Sequence, residues 1–135
     1  MTRERLIETL RGLFARHTDR VACAYLYGST ARDEARPSSD VDVAVLFREA
    51  PLPTLDGLGL DIAGDLEAAV GRRVDLVVLN QASPDLVHRI LREGMLVHEA
   101  DRRLRVAFEV RKRAEYFDVL PFLREYRRSV AAPGA

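Results

Sequence analysis

The sequence predicts an α/β (α+β) fold: a small mixed β-sheet with helices mainly on one face. Three observations predict it. Short Val-rich apolar runs have strand length, stretches between them repeat apolar residues every three or four positions, and the two kinds alternate along 135 residues. A chain of this length can bury one modest core, and its 47% apolar content is that of a folded domain. A single domain over residues 1–135 is expected, with a C-terminal helical extension at about 101–128.

Leu6, Ile7, Leu10, Leu13, Phe14 and His17 stand at helical spacing with charges between them, which predicts a first helix with one buried face. Val21 to Tyr27 is an apolar run ending at a glycine and reads as a strand. Gly28-Ser29-Thr30 then turns into a brief polar helical stretch that Pro37 must end. Asp40 to Phe47 is a second strand, and Pro51 and Pro53 mark a loop. Leu55, Leu58, Ile62, Leu66, Ala69 and Val70 predict a helix closed by Gly71. Val74 to Leu79 is a third strand. Ser83-Pro84-Asp85 combines an N-cap hydroxyl, a first-turn proline and a carboxylate near the positive helix end. Leu86, Val87, Ile90 and Leu91 supply that helix's buried face and Gly94 stops it. Met95 to His98 adds a short edge strand. A last helix, about Asp101 to Leu120, carries Leu104, Phe108, Val110, Ala114 and Phe117, with Pro121 as its expected break.

Composition excludes several function classes. Cys23 is the single cysteine, which rules out a disulfide framework or a Cys-rich zinc site, and its apolar neighbours predict a buried, inert thiol. No run approaches the ~18 apolar residues of a membrane span, and the N-terminus is charged rather than signal-like, so a soluble cytoplasmic protein without membrane contact is expected. Charges balance at 21 against 21, which argues against direct nucleic-acid binding. From Asp101 to Arg128, however, nine basic residues face five acidic ones, either as a solvated helix face or as a contact surface for an acidic partner. His17, His88 and His98 make no metal-binding spacing, and Tyr25, Tyr27, Tyr116 and Tyr126 are expected to pack.

The chemistry concentrates in Gly28-Ser29-Thr30-Ala31-Arg32-Asp33-Glu34-Ala35-Arg36-Pro37-Ser38-Ser39-Asp40-Val41-Asp42. A glycine after a strand lets the backbone turn and a ligand approach closely. The amides of Ser29 and Thr30 then open a helix, where unpaired N–H groups attract phosphate. The Ser29 hydroxyl adds a donor, and Arg32 lies one turn on. Alone, a Gly-Ser turn is punctuation. Asp40 and Asp42 change that, because two residues apart on a strand their side chains leave the same face. Such carboxylates repel unless a cation lies between them, and hard oxygen ligands suit Mg²⁺ or Mn²⁺. The plain alternative is two aspartates in water at a strand start. Asp75 lies in an apolar strand, where a lone carboxylate is costly to bury. A shared metal would relieve that cost, and pairing with Arg72 or Arg73 is the alternative.

Gly28-Ser29, ten residues, then Asp40-Val41-Asp42 resembles the Gly-Ser-x10-Asp-x-Asp signature of the polymerase-beta-like nucleotidyltransferase superfamily, and GSTARDEARPSSDVDVAV is similar to its minimal members. The likeness extends through Asp75, through Gly94 to Glu99, and through Tyr116-Phe117-Asp118. The resemblance implies that Gly28 and Ser29 hold the triphosphate of ATP, with Arg32 and Ser38 as further phosphate contacts. It implies that Asp40 and Asp42 bind two Mg²⁺ ions, and that Asp75 is the base or a third metal ligand. ATP as donor rests on the resemblance alone. Minimal members are similar to antitoxins that move AMP from ATP onto a tyrosine of a partner HEPN ribonuclease toxin and so disable it. The expected role is that transfer, with the basic C-terminal helix and the segment from Tyr116 to Tyr126 as docking surface. The alternatives are a binding-only antitoxin and a free-standing enzyme modifying a small molecule such as an antibiotic.

Overall fold

The computed structural model describes residues 1–32, 39–52 and 59–131. Helix α1, Arg3–Phe14, opens at Thr2, whose hydroxyl accepts the Arg5 N–H at 3.2 Å, and buries Leu6, Leu10, Leu13 and Phe14. Strand β1, Val21–Tyr27, leads into α2, a single turn at Gly28–Ala31. Strand β2 runs Val41–Phe47, starting one residue later than expected, so Asp40 sits just outside it. Helix α3, Leu60–Val70, buries Ile62, Leu66 and Val70 at a spacing of four and ends on left-handed Gly71, as predicted. The predicted stop at Pro37, the loop residue Pro53, and the helix positions Leu55 and Leu58 lie outside the described residues.

Strand β3 is Val74–Val78; Leu79, expected at its end, begins a short 3-10 turn instead. The Asn80 side chain in that turn exchanges hydrogen bonds with the Phe47 backbone, at 2.9 and 3.0 Å, and so seals the end of β2. Helix α4, Pro84–Glu93, begins as the sequence predicts, with the Ser83 hydroxyl accepting the Leu86 N–H at 3.3 Å. Strand β4, Met95–Glu99, and helix α5, Arg102–Ala131, complete the chain.

The four strands form one mixed sheet in the order β3-β2-β1-β4. β1 pairs antiparallel with β2 and β4, whereas β2 and β3 are parallel neighbours joined through α3. The α/β class therefore holds, with the predicted edge strand at the edge. The helices cover both faces rather than mainly one. Val21, Ala24, Leu26, Val41, Val43 and Val45 meet the apolar stripes of α1 and α3. Cys23, Tyr25, Tyr27, Ala44 and Leu46 meet Val87 and Ile90 of α4 and Phe108 of α5. Every residue of β1 is buried, as a strand covered on both sides must be.

Helix α5 does not break at Pro121; the proline lies inside it. Its ring removes the hydrogen bond that the Phe117 carbonyl would otherwise accept. Phe117 and Phe122 are both exposed, so this stretch of helix has water at hand to solvate that carbonyl. Cys23 is fully buried, and burial pushes its thiol up to about 12, which fits the inert role.

Candidate active site

The site begins where β1 runs out. Gly28 takes φ +72°, a left-handed turn that residues with a Cβ adopt at a cost. A Cβ there would collide with Oδ2 of Asp42 and lie 3.1 Å from its Cγ. The glycine is therefore required twice, once by the turn and once because the Asp42 carboxylate occupies the space a side chain would need. Ser29 and Thr30 follow in the single turn of α2, and Thr30 is buried with an Oγ1 that has no hydrogen-bond partner among the described residues.

Register then assembles the acidic groups. Asp42 is opposite Tyr27 across the β1–β2 pair and opposite Asp75 across the β2–β3 pair. Val41, Val43 and Val45 point into the α1–α3 layer, so Asp42 and Asp75 share the face covered by α4 and α5. Asp40 is exposed at the mouth of β2, after Ser39, whose carbonyl accepts bonds from the Arg72 guanidinium at 2.5 and 3.0 Å. Arg72 thus anchors the chain leading into Asp40. Asp75 is exposed rather than buried, because β3 is an edge strand and that position is open to water. Its carboxylate therefore stays hydrated, contrary to the burial expected from its apolar neighbours.

The electrostatics follow the geometry. Partial burial raises the Asp42 carboxyl above its ordinary value, and the charges of Asp75 and Asp40 raise it further, while Arg89 and Arg32 pull it down. Tyr27 is pushed up to about 12 by burial and by the same two carboxylates, Asp42 and Asp75, so its phenol stays protonated. As placed, no three acidic, histidine or cysteine side chains among the described residues stand close enough to hold a metal ion. What the fold provides is a set of carboxylates that repel one another on one face. That donor chemistry fits a hard divalent cation, whose charge would cancel the repulsion.

The other predicted residues fare differently. The Arg32 guanidinium reaches Glu93 of α4, Nη1 to Oε2 at 3.6 Å, tying α2 to α4. Ser38 lies outside the described residues. Two residues escaped the sequence reading. Tyr27 was assigned to packing alone, yet it is the register partner of Asp42. Arg89 had no signal beyond being a polar residue on α4, and only the packing of that helix lets its charge act on Asp42.

A family model described as "Polymerase beta, Nucleotidyltransferase" matches residues 8–103. The chain belongs to that family. The nucleotidyltransferase is 38% identical over 72 residues to a protein adenylyltransferase, MntA, of Thermococcus cleftensis, a span covering 53% of this chain and 70% of the relative. Its fold matches a chain from a toxin–antitoxin crystal structure with AMP-PNP, at TM-score 0.79 and 23% identity, over 93% of this chain and 98% of that one. It also matches a chain from the structure of a tri-AMPylated Shewanella oneidensis HEPN toxin in complex with MNT antitoxin. There the TM-score is 0.75 and the identity 21%, over 97% of this chain and all of that one. No helix of the nucleotidyltransferase among the described residues is long and apolar enough to cross a membrane.

Proposed function

We propose that this chain is an antitoxin that transfers AMP from ATP to a tyrosine hydroxyl of a partner HEPN ribonuclease toxin. The observation that carries this reading is Gly28 folded directly against the Asp42 carboxylate, with Asp75 in register beside it. In this reading the turn accepts phosphate next to an acidic pair at the same strand end. Family membership supports nucleotidyl transfer, and the adenylyltransferase and toxin–antitoxin relatives support the acceptor.

In this reading the amides of Ser29 and Thr30, with the Ser29 hydroxyl, hold the triphosphate. Asp40 and Asp42 hold the divalent cations, Mg²⁺ or Mn²⁺, and Asp75 is either a third ligand or the base. Bound cations would neutralise the phosphates and stabilise the departing pyrophosphate. The acceptor tyrosine oxygen forms a bond to the α-phosphorus as the bond from that phosphorus to the β-bridging oxygen breaks. Pyrophosphate leaves, and as base Asp75 takes the phenolic proton. Helix α5 is the docking surface: Val106, Val110, Phe117, Phe122 and Tyr126 are exposed along it, an apolar display that a partner would cover.

Intact mass of a HEPN toxin, incubated with this chain, ATP and magnesium, tests the proposal. The toxin should gain one or more adenylyl units, and Asp40→Ala or Asp42→Ala should slow that gain by several orders of magnitude with the fold retained. An unmodified toxin mass, or undiminished transfer by the double variant, would overturn the reading.

A further inference from the structure

We infer that the cleft between α4 and α5 is a second anion-binding site, fitted to a small molecule that carries two or more linked phosphate groups. None of its lining residues belongs to the candidate active site, so it stands or falls independently of the transfer reading.

The spacing along the two helices shapes the cleft. His88 and Arg92 stand four residues apart on α4 and so share one face, as do Lys112 and Tyr116 on α5. The His88 ring stacks on Tyr116 with centroids 3.7 Å apart, which fixes one helix against the other. Arg92 is thereby brought across from Lys112 and Arg113, and these three cations line a cavity of about 200 Å³ with His88 and Leu91. Among the described residues no carboxylate lines it. An adjoining cavity of about 320 Å³ shares His88 and Arg92 and adds Ser83, Arg89, Tyr116 and Arg127. Its one acidic residue, Asp85, is already paired with Arg127 at 3.3 Å.

The two ends of the cleft differ. Toward the start of α4, the Asp85–Arg127 ion pair joins the helices. Toward its end, cations alone meet across the smaller cavity. Arg92 pairs with Glu93 and Lys112 with Glu115, each on its own helix, and neither carboxylate is part of the lining. Like charges held opposite one another across a packed contact cost free energy unless an anion lies between them. Lys112 adds to that cost: its side chain is only 14% exposed, and its ammonium sits 5.9 Å from the centre of the Phe108 ring. A carboxylate would bring one charge to three cations. Linked phosphates bring several, with oxygens on more than one side, so the guanidinium forks of Arg92 and Arg113 and the Lys112 ammonium each find an acceptor. The larger cavity leaves room for the rest of the molecule beside Tyr116.

Calorimetric titration of the full chain in EDTA tests this, with inorganic tripolyphosphate, ATP, AMP and tetraglutamate as probes. Tripolyphosphate and ATP should bind without a divalent cation and more weakly as salt rises. AMP, with a single phosphate, should bind about tenfold more weakly or worse. Arg92→Ala and Lys112→Ala should each weaken tripolyphosphate about tenfold or more, the loss of a charge-assisted hydrogen bond. Lys112→Gln keeps the stem beside Phe108 should the alanine variant fold poorly, and is expected to bind as weakly. Arg103→Ala, which removes a charge from α5 outside both cavities, should change nothing. Three results would overturn the inference. Tripolyphosphate fails to bind in EDTA; or its binding is lost in Ser29→Ala and kept in Arg92→Ala and Lys112→Gln, which moves the ligand to the Gly28 turn; or tetraglutamate or AMP binds as tightly as tripolyphosphate. Each of them leaves the transfer reading standing.

Discussion

The two faces of the central sheet are built from different chemistry. Toward α1 and α3 the contacts are mostly apolar: Leu6, Leu10, Phe14, Ile62 and Leu66 close over the valines of β1 and β2. Toward α4 and α5 the layer includes groups that hydrogen-bond and titrate. The Tyr25 hydroxyl donates to Glu109 at 2.5 Å, and Glu109 also receives Arg105, which pairs in turn with Glu99 of β4. Asp42, Asp75 and Tyr27 belong to this second face. One layer only stabilises; the other also carries the candidate site. Mutations on the two sides should therefore separate loss of fold from loss of function.

The largest effect on stability should come from the apolar layer. Leu10→Ala removes a fully buried side chain and should cost about 2–5 kcal/mol in denaturant unfolding. The fraction that remains folded should keep its ATP affinity; a weakened affinity there would break the division between the layers. A smaller loss is expected opposite. Tyr25→Phe deletes the hydroxyl donor to Glu109 but leaves Arg105 as partner to that carboxylate, so roughly 1–2 kcal/mol should be lost by the same measurement.

The smallest effect has the opposite sign. Because the native fold holds the Asp42 carboxyl above its ordinary 3.8, the folded chain binds that proton more tightly than the unfolded one. With divalent cations chelated, the Asp42 contribution to stability therefore grows as pH falls from the raised native value toward 3.8, and shrinks as pH rises. Melting curves of the wild type and Asp42→Asn, compared across that range, should show the variant more stable at neutral pH and the gap narrowing on acidification. A variant less stable at every pH would mean that Asp42 is structurally favourable as an anion.

The apolar layer was almost fully legible in the sequence. Helical spacing gave the buried residues of α1 and α3, and glycine and capping signals gave the ends of α3 and α4, because these features are local. Gly28, Ser29, Asp40 and Asp42 could be nominated as a candidate site for the same reason, their spacing within fifteen consecutive positions. Asp75 could be nominated, but its partner Asp42 depends on a parallel register that no local pattern encodes. The break expected at Pro121 did not occur, because this stretch of helix faces water that solvates the carbonyl left unpaired. Cover mainly on one face was expected; Val87 and Ile90 of α4 and Phe108 of α5 instead pack as a second layer.

Strand β2 takes part in two pairings of different range, antiparallel with β1 and parallel with β3, the latter reached only across the α3 crossover. A chain that has joined only the first two strands already presents the Gly28 turn to Asp42 but lacks Asp75. Parallel pairing of distant segments is the slower kind to form. With the role proposed for Asp75, catalytic competence should be among the last properties acquired during refolding, so that a partly folded chain would not consume nucleotide.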